Sequence, residues 1–87
     1  LSEYRIEFKP AARRGLAKLP KNIQKKIAQQ IDVLASNPLP PGTKKLFGSK
    51  NTYRVRVGDY RILYDLYHDR LVVLIVGVGH RRNIYRQ

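Results

Sequence analysis

The apolar positions of this chain change period along its length, and the changes mark out its elements. Residues 4–8 alternate, with Tyr4, Ile6 and Phe8 against Arg5 and Glu7, the period of a half-buried strand. Pro10 suits the first turn of a helix, where its missing N–H leaves no bond unmade. Ala12, Leu16 and Leu19 then fall on one side and Arg13, Arg14 and Lys18 on the other, a helix running to about Lys18. Leu19-Pro20 breaks it, and Pro20 can open a second. Ile23, Ile27, Ile31 and Leu34 follow at spacings of 4, 4 and 3, one stripe at helical period, with Lys21, Lys25 and Lys26 off it. Asn37-Pro38 ends this helix, because the residue before proline is biased away from helical geometry.

Pro38, Pro40, Pro41, Gly42 and Gly48 make residues 37–50 a loop, long enough to be suspected of function. From Asn51 the period becomes 2. Residues 53–57 read as a strand, Gly58-Asp59 as a two-residue hairpin turn, and residues 60–67 as the returning strand. A second turn near His68-Asp69 leads to residues 70–79, apolar on both faces and therefore predicted to be central in the sheet. The order β-α-α-β-β-β predicts an α+β domain with two N-terminal helices on one face of a mainly antiparallel four-stranded sheet. The partner of the first strand is left open.

The hairpin turn sets a register. Gly58-Asp59 places Val57 opposite Tyr60, Arg56 opposite Arg61, Val55 opposite Ile62 and Arg54 opposite Leu63. Opposed residues share a face, and faces alternate along each strand. Tyr53, Val55, Val57, Tyr60, Ile62 and Tyr64 thus form an apolar face for the helices, while Arg54, Arg56 and Arg61 collect on the other. Like charges directly opposed weaken pairing by up to roughly 1 kcal/mol, and Asp65 alone of these strands supplies an acid on that face. Such a cluster suits a phosphate, whose oxygens take the planar guanidinium fork bidentately. A solvated strand face without function is the plain alternative.

Composition sharpens this. The 87 residues suffice for one domain; 43% are hydrophobic and 28% charged, an ordinary globular balance. Eighteen Lys and Arg against six Asp and Glu give a net charge of +12, which calls for a polyanionic or strongly acidic partner. Cysteine is absent, which removes disulfides, thiol nucleophiles and Cys-based zinc sites, and two histidines are too few for a metal cage. No apolar run reaches membrane-spanning length, the longest being residues 71–78, and the first residues do not form a signal peptide. The expected compartment is the cytoplasm.

Lys44, Lys45 and Lys50 stand just before the hairpin, so that six basic residues and one acid, Asp59, occupy positions 44–61. They form either an electrostatic track for a nucleic-acid backbone or a solubilising loop. His80, at the end of the last strand, is the side chain suited to proton transfer near neutral pH. With a two-residue turn at His68-Asp69, Arg61 would face Val76 and His80 would lie on the arginine side; a turn one residue longer would put Arg81 there instead. His68 itself reads as an exposed turn residue. Tyr85, among Arg81, Arg82 and Arg86, is placed either to stack on a base or to pack the tail onto the sheet.

Three blocks in this order, Lys44-Lys45-Leu46-Phe47-Gly48, then residues 53–64 (YRVRVGDYRILY), then residues 78–85 (VGHRRNIY), resemble the RelE/ParE toxin superfamily over almost the whole chain. The resemblance implies a RelE-like (microbial RNase-like) fold and the toxin of a type II toxin–antitoxin system. In the RelE branch it implies a metal-independent, cofactor-free endoribonuclease that cuts mRNA in the ribosomal A site. There the ribose 2′-OH attacks the adjacent phosphate and leaves a 2′,3′-cyclic phosphate and a 5′-OH. The implied partners are the 70S ribosome, mRNA and an acidic RelB-like antitoxin, through which the complex would contact operator DNA, with no membrane involved. By position, Arg54 and Arg56 take two basic strand sites often held by lysine, and Arg61 would hold the scissile phosphate. Arg81 would stabilise charge or protonate the 5′-oxygen, Tyr85 would stack on the nucleotide, and His80 stands where some relatives keep a catalytic histidine. Lys44, Lys45, Lys50 and Arg82 are the expected RNA- and ribosome-binding residues. Arginine stays protonated at physiological pH, so it is a poor general base, and His80 is the expected proton carrier. Phe47 takes a loop position that is often basic in RelE proteins. The same fold also serves ParE-like inhibition of DNA gyrase by protein binding, and an idle RNA-binding module is a third reading; the fold alone does not choose.

Overall fold

In the computed structural model, which describes residues 3–82, the stripe of the second helix and the apolar face of the hairpin meet in one core. The elements are β1 (Arg5–Phe8), α1 (Pro10–Ala17), α2 (Lys21–Ser36), β2 (Lys44–Lys45), β3 (Thr52–Val57), β4 (Tyr60–Tyr67) and β5 (Val72–His80). Pro10 opens α1 as its sequence suggests, and Asn37 leaves α2 in extended geometry one residue before Pro38. No described helix is long and apolar enough to cross a membrane.

Two features correct the expected sheet. It has five strands, in the order β1-β5-β4-β3-β2, because Lys44 and Lys45 pair antiparallel with β3 across from Arg54 and Tyr53. A two-residue ladder is too short to show a period, so no alternation in the loop announced it. β1 pairs with β5 in parallel, Ile6 opposite Val73, while the remaining neighbours are antiparallel. A parallel pair needs a crossover, and the intervening helices and hairpin supply it. β5 is an interior strand, between β1 and β4, as its two apolar faces require, and β4 takes the centre of the five.

Ala12, Ile27, Ile31 and Leu34 from the helices pack on Val55, Ile62, Tyr64, Leu66, Val73, Ile75 and Val78 from the sheet. Helix α1 lies so close to β5 that a Cβ at Gly15 would collide with the Val78 carbonyl oxygen. The glycine therefore costs helix propensity in exchange for contact. Tyr64 is completely buried, and its hydroxyl donates to the Pro38 carbonyl at 2.6 Å, tying the proline loop to the sheet. Burial raises the pKa of this phenol above the usual tyrosine value, outweighing the Thr43 hydroxyl, which acts in the opposite sense.

Because the folded-state value is raised, the protonated phenol stabilises the fold fully below the unfolded tyrosine pKa of about 10, and this contribution is lost as pH climbs through the folded value. We expect Tyr64→Phe to cost about 1 kcal/mol at neutral pH, a fall in Tm of about 4–8 °C. The variant should also lose less stability than the parent between neutral pH and pH values above about 10. Urea titrations across that range check both; equal alkaline losses would contradict the assignment.

Candidate functional site

The Gly58-Asp59 turn has its positive φ at glycine, 62°, as a type II′ hairpin requires. The derived register is observed: Arg56 opposite Arg61, Arg54 opposite Leu63, Val55 opposite Ile62. With Val55, Ile62 and Tyr64 buried under the helices, Arg54, Arg56 and Arg61 share the outer face, joined there by Lys44 opposite Arg54. Arg54 is only 8% exposed, and a cavity of about 390 Å³ is lined by Pro41, Gly42, Lys44, Arg54, Val55 and Arg56. Asp65, the acid of this face, accepts the Thr52 hydroxyl. The salt bridges among the described residues, Arg5–Glu7 and Arg70–Asp69, include neither Arg54 nor Arg56.

The C-terminal side differs from the two-residue-turn reading. Four residues, His68–Leu71, separate β4 from β5, because Leu71 takes a positive φ of 52° and cannot continue a strand. Beyond it the pairing slips once more: Tyr64 faces Ile75 but Leu63 faces Gly77, leaving Val76 as the extra residue of a bulge. Arg61 therefore faces Gly79, not Val76, and His80 faces Tyr60. The His80 ring sits edge-on to Tyr60 at 5.5 Å, and its Nδ1 accepts the Arg82 backbone N–H at 3.2 Å. It lines a helix-side cavity of about 500 Å³ with Arg14, Gly15, Lys18 and Val78, across the sheet from the arginines.

Arg81 continues β5 on the Arg61 side by alternation, and its N–H donates to the Asp59 carbonyl at 2.9 Å, holding it beside the hairpin turn. Arg81 and Arg82 are exposed. Lys45 faces Tyr53 and so belongs to the opposite face from Lys44; Lys50 is exposed in the loop that follows. Tyr85 lies outside the described residues. Sequence reasoning missed the Lys44–Arg54 pairing and the Pro41-Gly42 wall. The one available signal was the Pro-Pro-Gly turn, which redirects the chain into β2.

The face thus gathers several cations, and the planar guanidinium forks among them suit the oxygens of a phosphate or carboxylate. Comparison with known proteins places the fold. It superposes on the archaeal RelE-RelB complex from Pyrococcus horikoshii OT3 with a TM-score of 0.80 and 28% identity, covering 91% of this chain and 96% of that one. It superposes equally, TM-score 0.80 and 33% identity, on the toxin-antitoxin complex RelBE2 from Mycobacterium tuberculosis, covering 91% and 99%. The class is that of the small basic toxins. Residues 6–85 match the family described as ParE toxin of type II toxin-antitoxin system, parDE. Among curated relatives, Toxin RelG of Mycobacterium tuberculosis is 34% identical over 85 residues (97% of this chain, 98% of the relative). Putative toxin RelE1 of Methanocaldococcus jannaschii is 30% identical over 87 residues (97% of each). The chain belongs to the RelE/ParE family of toxins from type II toxin–antitoxin systems.

Opposed arginines should burden the free protein. We expect Arg56→Thr to stabilise it by about 0.5–1 kcal/mol at low salt. Chemical denaturation by urea should show this gain shrinking at high ionic strength, where screening is short-ranged. A loss of stability at low salt would mean that Arg56 is compensated.

Proposed function

We propose that this toxin is a RelE-type endoribonuclease that cleaves mRNA in the ribosomal A site without a metal. The ribose 2′-OH attacks the adjacent phosphorus and gives its proton to water, the bond to the 5′-oxygen breaks and that oxygen takes a proton from water, leaving a 2′,3′-cyclic phosphate and a 5′-OH. Arg54, Arg56 and Arg61 bind the non-bridging oxygens and oppose the charge that builds on them in the phosphorane. Arg81, beside the hairpin turn, stabilises the leaving oxygen, and Tyr85 stacks on the nucleotide. Lys44, Lys50 and Arg82 take neighbouring RNA phosphates, whereas Lys45, on the opposite face, is left out of that track. The observation that carries this reading is the convergence of three arginines on one sheet face whose acid, Asp65, is committed to Thr52.

His80 changes role in this reading. Its ring lies across the sheet from the arginines, and its Nδ1 holds the Arg82 N–H, so it positions the turn that carries Arg81. The net charge of +12 suits an acidic, RelB-like antitoxin as the neutralising partner, and operator DNA would be contacted through that antitoxin.

A ParE-like inhibitor of DNA gyrase is the second reading, favoured by the family match over residues 6–85. The discriminating experiment is induction in bacteria with mapping of 5′-OH ends on translated mRNA and a parallel gyrase supercoiling assay. Cuts at codon boundaries with intact gyrase support the first reading; gyrase inhibition without cuts selects the second. Arg61→Ala and Arg81→Ala should each lower single-turnover cleavage on ribosomes by about 100-fold or more while Tm holds. Full cleavage in both variants would reject the assigned site. His80→Ala should slow cleavage while the pH–rate curve near neutrality keeps its shape; a flattened curve would return proton transfer to His80.

A further inference from the structure

Residues 46–51 join β2 to β3, and the turn at their tip is closed by several bonds. The Leu46 N–H donates to the Thr52 carbonyl at 2.9 Å and the Ser49 N–H to the Leu46 carbonyl at 3.2 Å. The Ser49 hydroxyl reaches the Leu46 carbonyl at 2.8 Å. Gly48 has a φ of 81°, which the third position of a type II turn requires, and this leaves Phe47 at the corner. Corners of this kind favour proline or small polar residues.

Phe47 is 106% exposed, as open as in an extended peptide. Val33, Leu39 and Leu71, the other large apolar residues at the described surface, are 43–47% exposed and keep over half their area against the protein. Scattered apolar side chains of that sort are ordinary. The Phe47 ring, by contrast, buries nothing and contributes nothing to the core, although a hydrogen-bonded turn holds it out.

Its surroundings are cationic. Lys44, Lys45 and Lys50 bracket it, and no Asp or Glu occurs between Asp32 and Asp59. Lys44 pairs with Arg54, so the hairpin that carries Phe47 at its tip springs from the edge of the arginine cluster. At about 3.3 Å per residue, the ring stands roughly 10 Å beyond that pair. Cations that track a backbone, together with a free π-face, are what single-stranded nucleic acid recognises.

We propose that Phe47 is a stacking platform for an unpaired base of the RNA whose phosphates the arginine face binds, so that the β2–β3 hairpin positions the strand from a second point. This rests on the nuclease reading and adds a contact to it.

The chain has no tryptophan, so the indole of a Phe47→Trp variant reports stacking directly. The probe is a single-stranded 2′-O-methyl RNA of about 12 nucleotides, within the usual site sizes and unable to undergo 2′-OH attack. Saturable quenching is expected for Phe47→Trp. Phe47→Ala should bind roughly 5- to 100-fold more weakly than the parent with an unchanged salt slope, since no charge is removed. An abasic oligonucleotide of equal length should erase the difference. Phe47→Ala binding RNA as tightly as the parent, or a parent that binds no RNA, would overturn this proposal; the nuclease reading stands or falls separately, on the mapping of 5′-OH ends in translated mRNA. Fluorescence changes with phosphatidylserine vesicles and none with RNA would assign the ring to membranes and overturn the proposal as well.

Discussion

The pairing of Val57 with Tyr60 across Gly58-Asp59 decides what each face of this protein can do. Side chains alternate with a period of 2, so a slip of one residue would send Arg54 and Arg56 under the helices and expose Tyr53, Val55 and Val57. Burying a single unpaired guanidinium costs several kcal/mol, and leaving one aliphatic side chain exposed forfeits about 1.5–3 kcal/mol. The repulsion that the observed register accepts, up to roughly 1 kcal/mol for an opposed pair, is small beside either. The same energetics that build the core therefore force the arginines together. A cationic face follows from the apolar pattern once arginine occupies the alternate positions.

The other side of the sheet is organised by a different close contact. Helix α1 approaches β5 within a distance that only Gly15 permits, and His80 lines a cavity there together with Arg14 and Lys18. The bulge at Val76 adds one residue to β5 after its core positions have been set. It leaves Val73 and Ile75 buried with Leu66 and Tyr64 while moving His80 to the helix side and Arg81 to the arginine side. Strand irregularity thus sorts the chemistry of the last residues without disturbing the core. An imidazole and a guanidinium that are adjacent in sequence end on opposite faces.

The helices, the β3–β4 register, the interior place of β5 and the arginine convergence were legible because each rests on a local rule: helical spacing, a two-residue turn, a strand apolar on both faces. What escaped reading depends on non-local or very short features. Lys44-Lys45 is a strand only because β3 offers its edge, and two lysines carry no strand period. The parallel pairing of β1 needed the whole intervening chain to be placed. Leu71 was read as strand because its side chain is apolar, yet its positive φ ends the turn there; leucine has no preference that would reveal this. The placement of His80 turned on that residue and the bulge together, which is why a single conditional about turn length could not settle it.

Between the two activities housed by this fold, the burial of Arg54 weighs more than the net charge. An acidic protein surface can be met by exposed, mobile cations such as Lys44, Arg56 and Arg81, and long side chains of that kind adjust to carboxylates wherever they lie. Arg54 lines a cavity with Pro41, Gly42 and Lys44 and has only 8% of its surface open, so burial restricts its rotamers before any ligand arrives. Orientation in advance lowers the cost of binding any ligand and counts most directly where charge is to be stabilised at one centre as it develops. An ordered cation of this kind suits the proposed phosphate ester, whose developing charge is confined to a few oxygens.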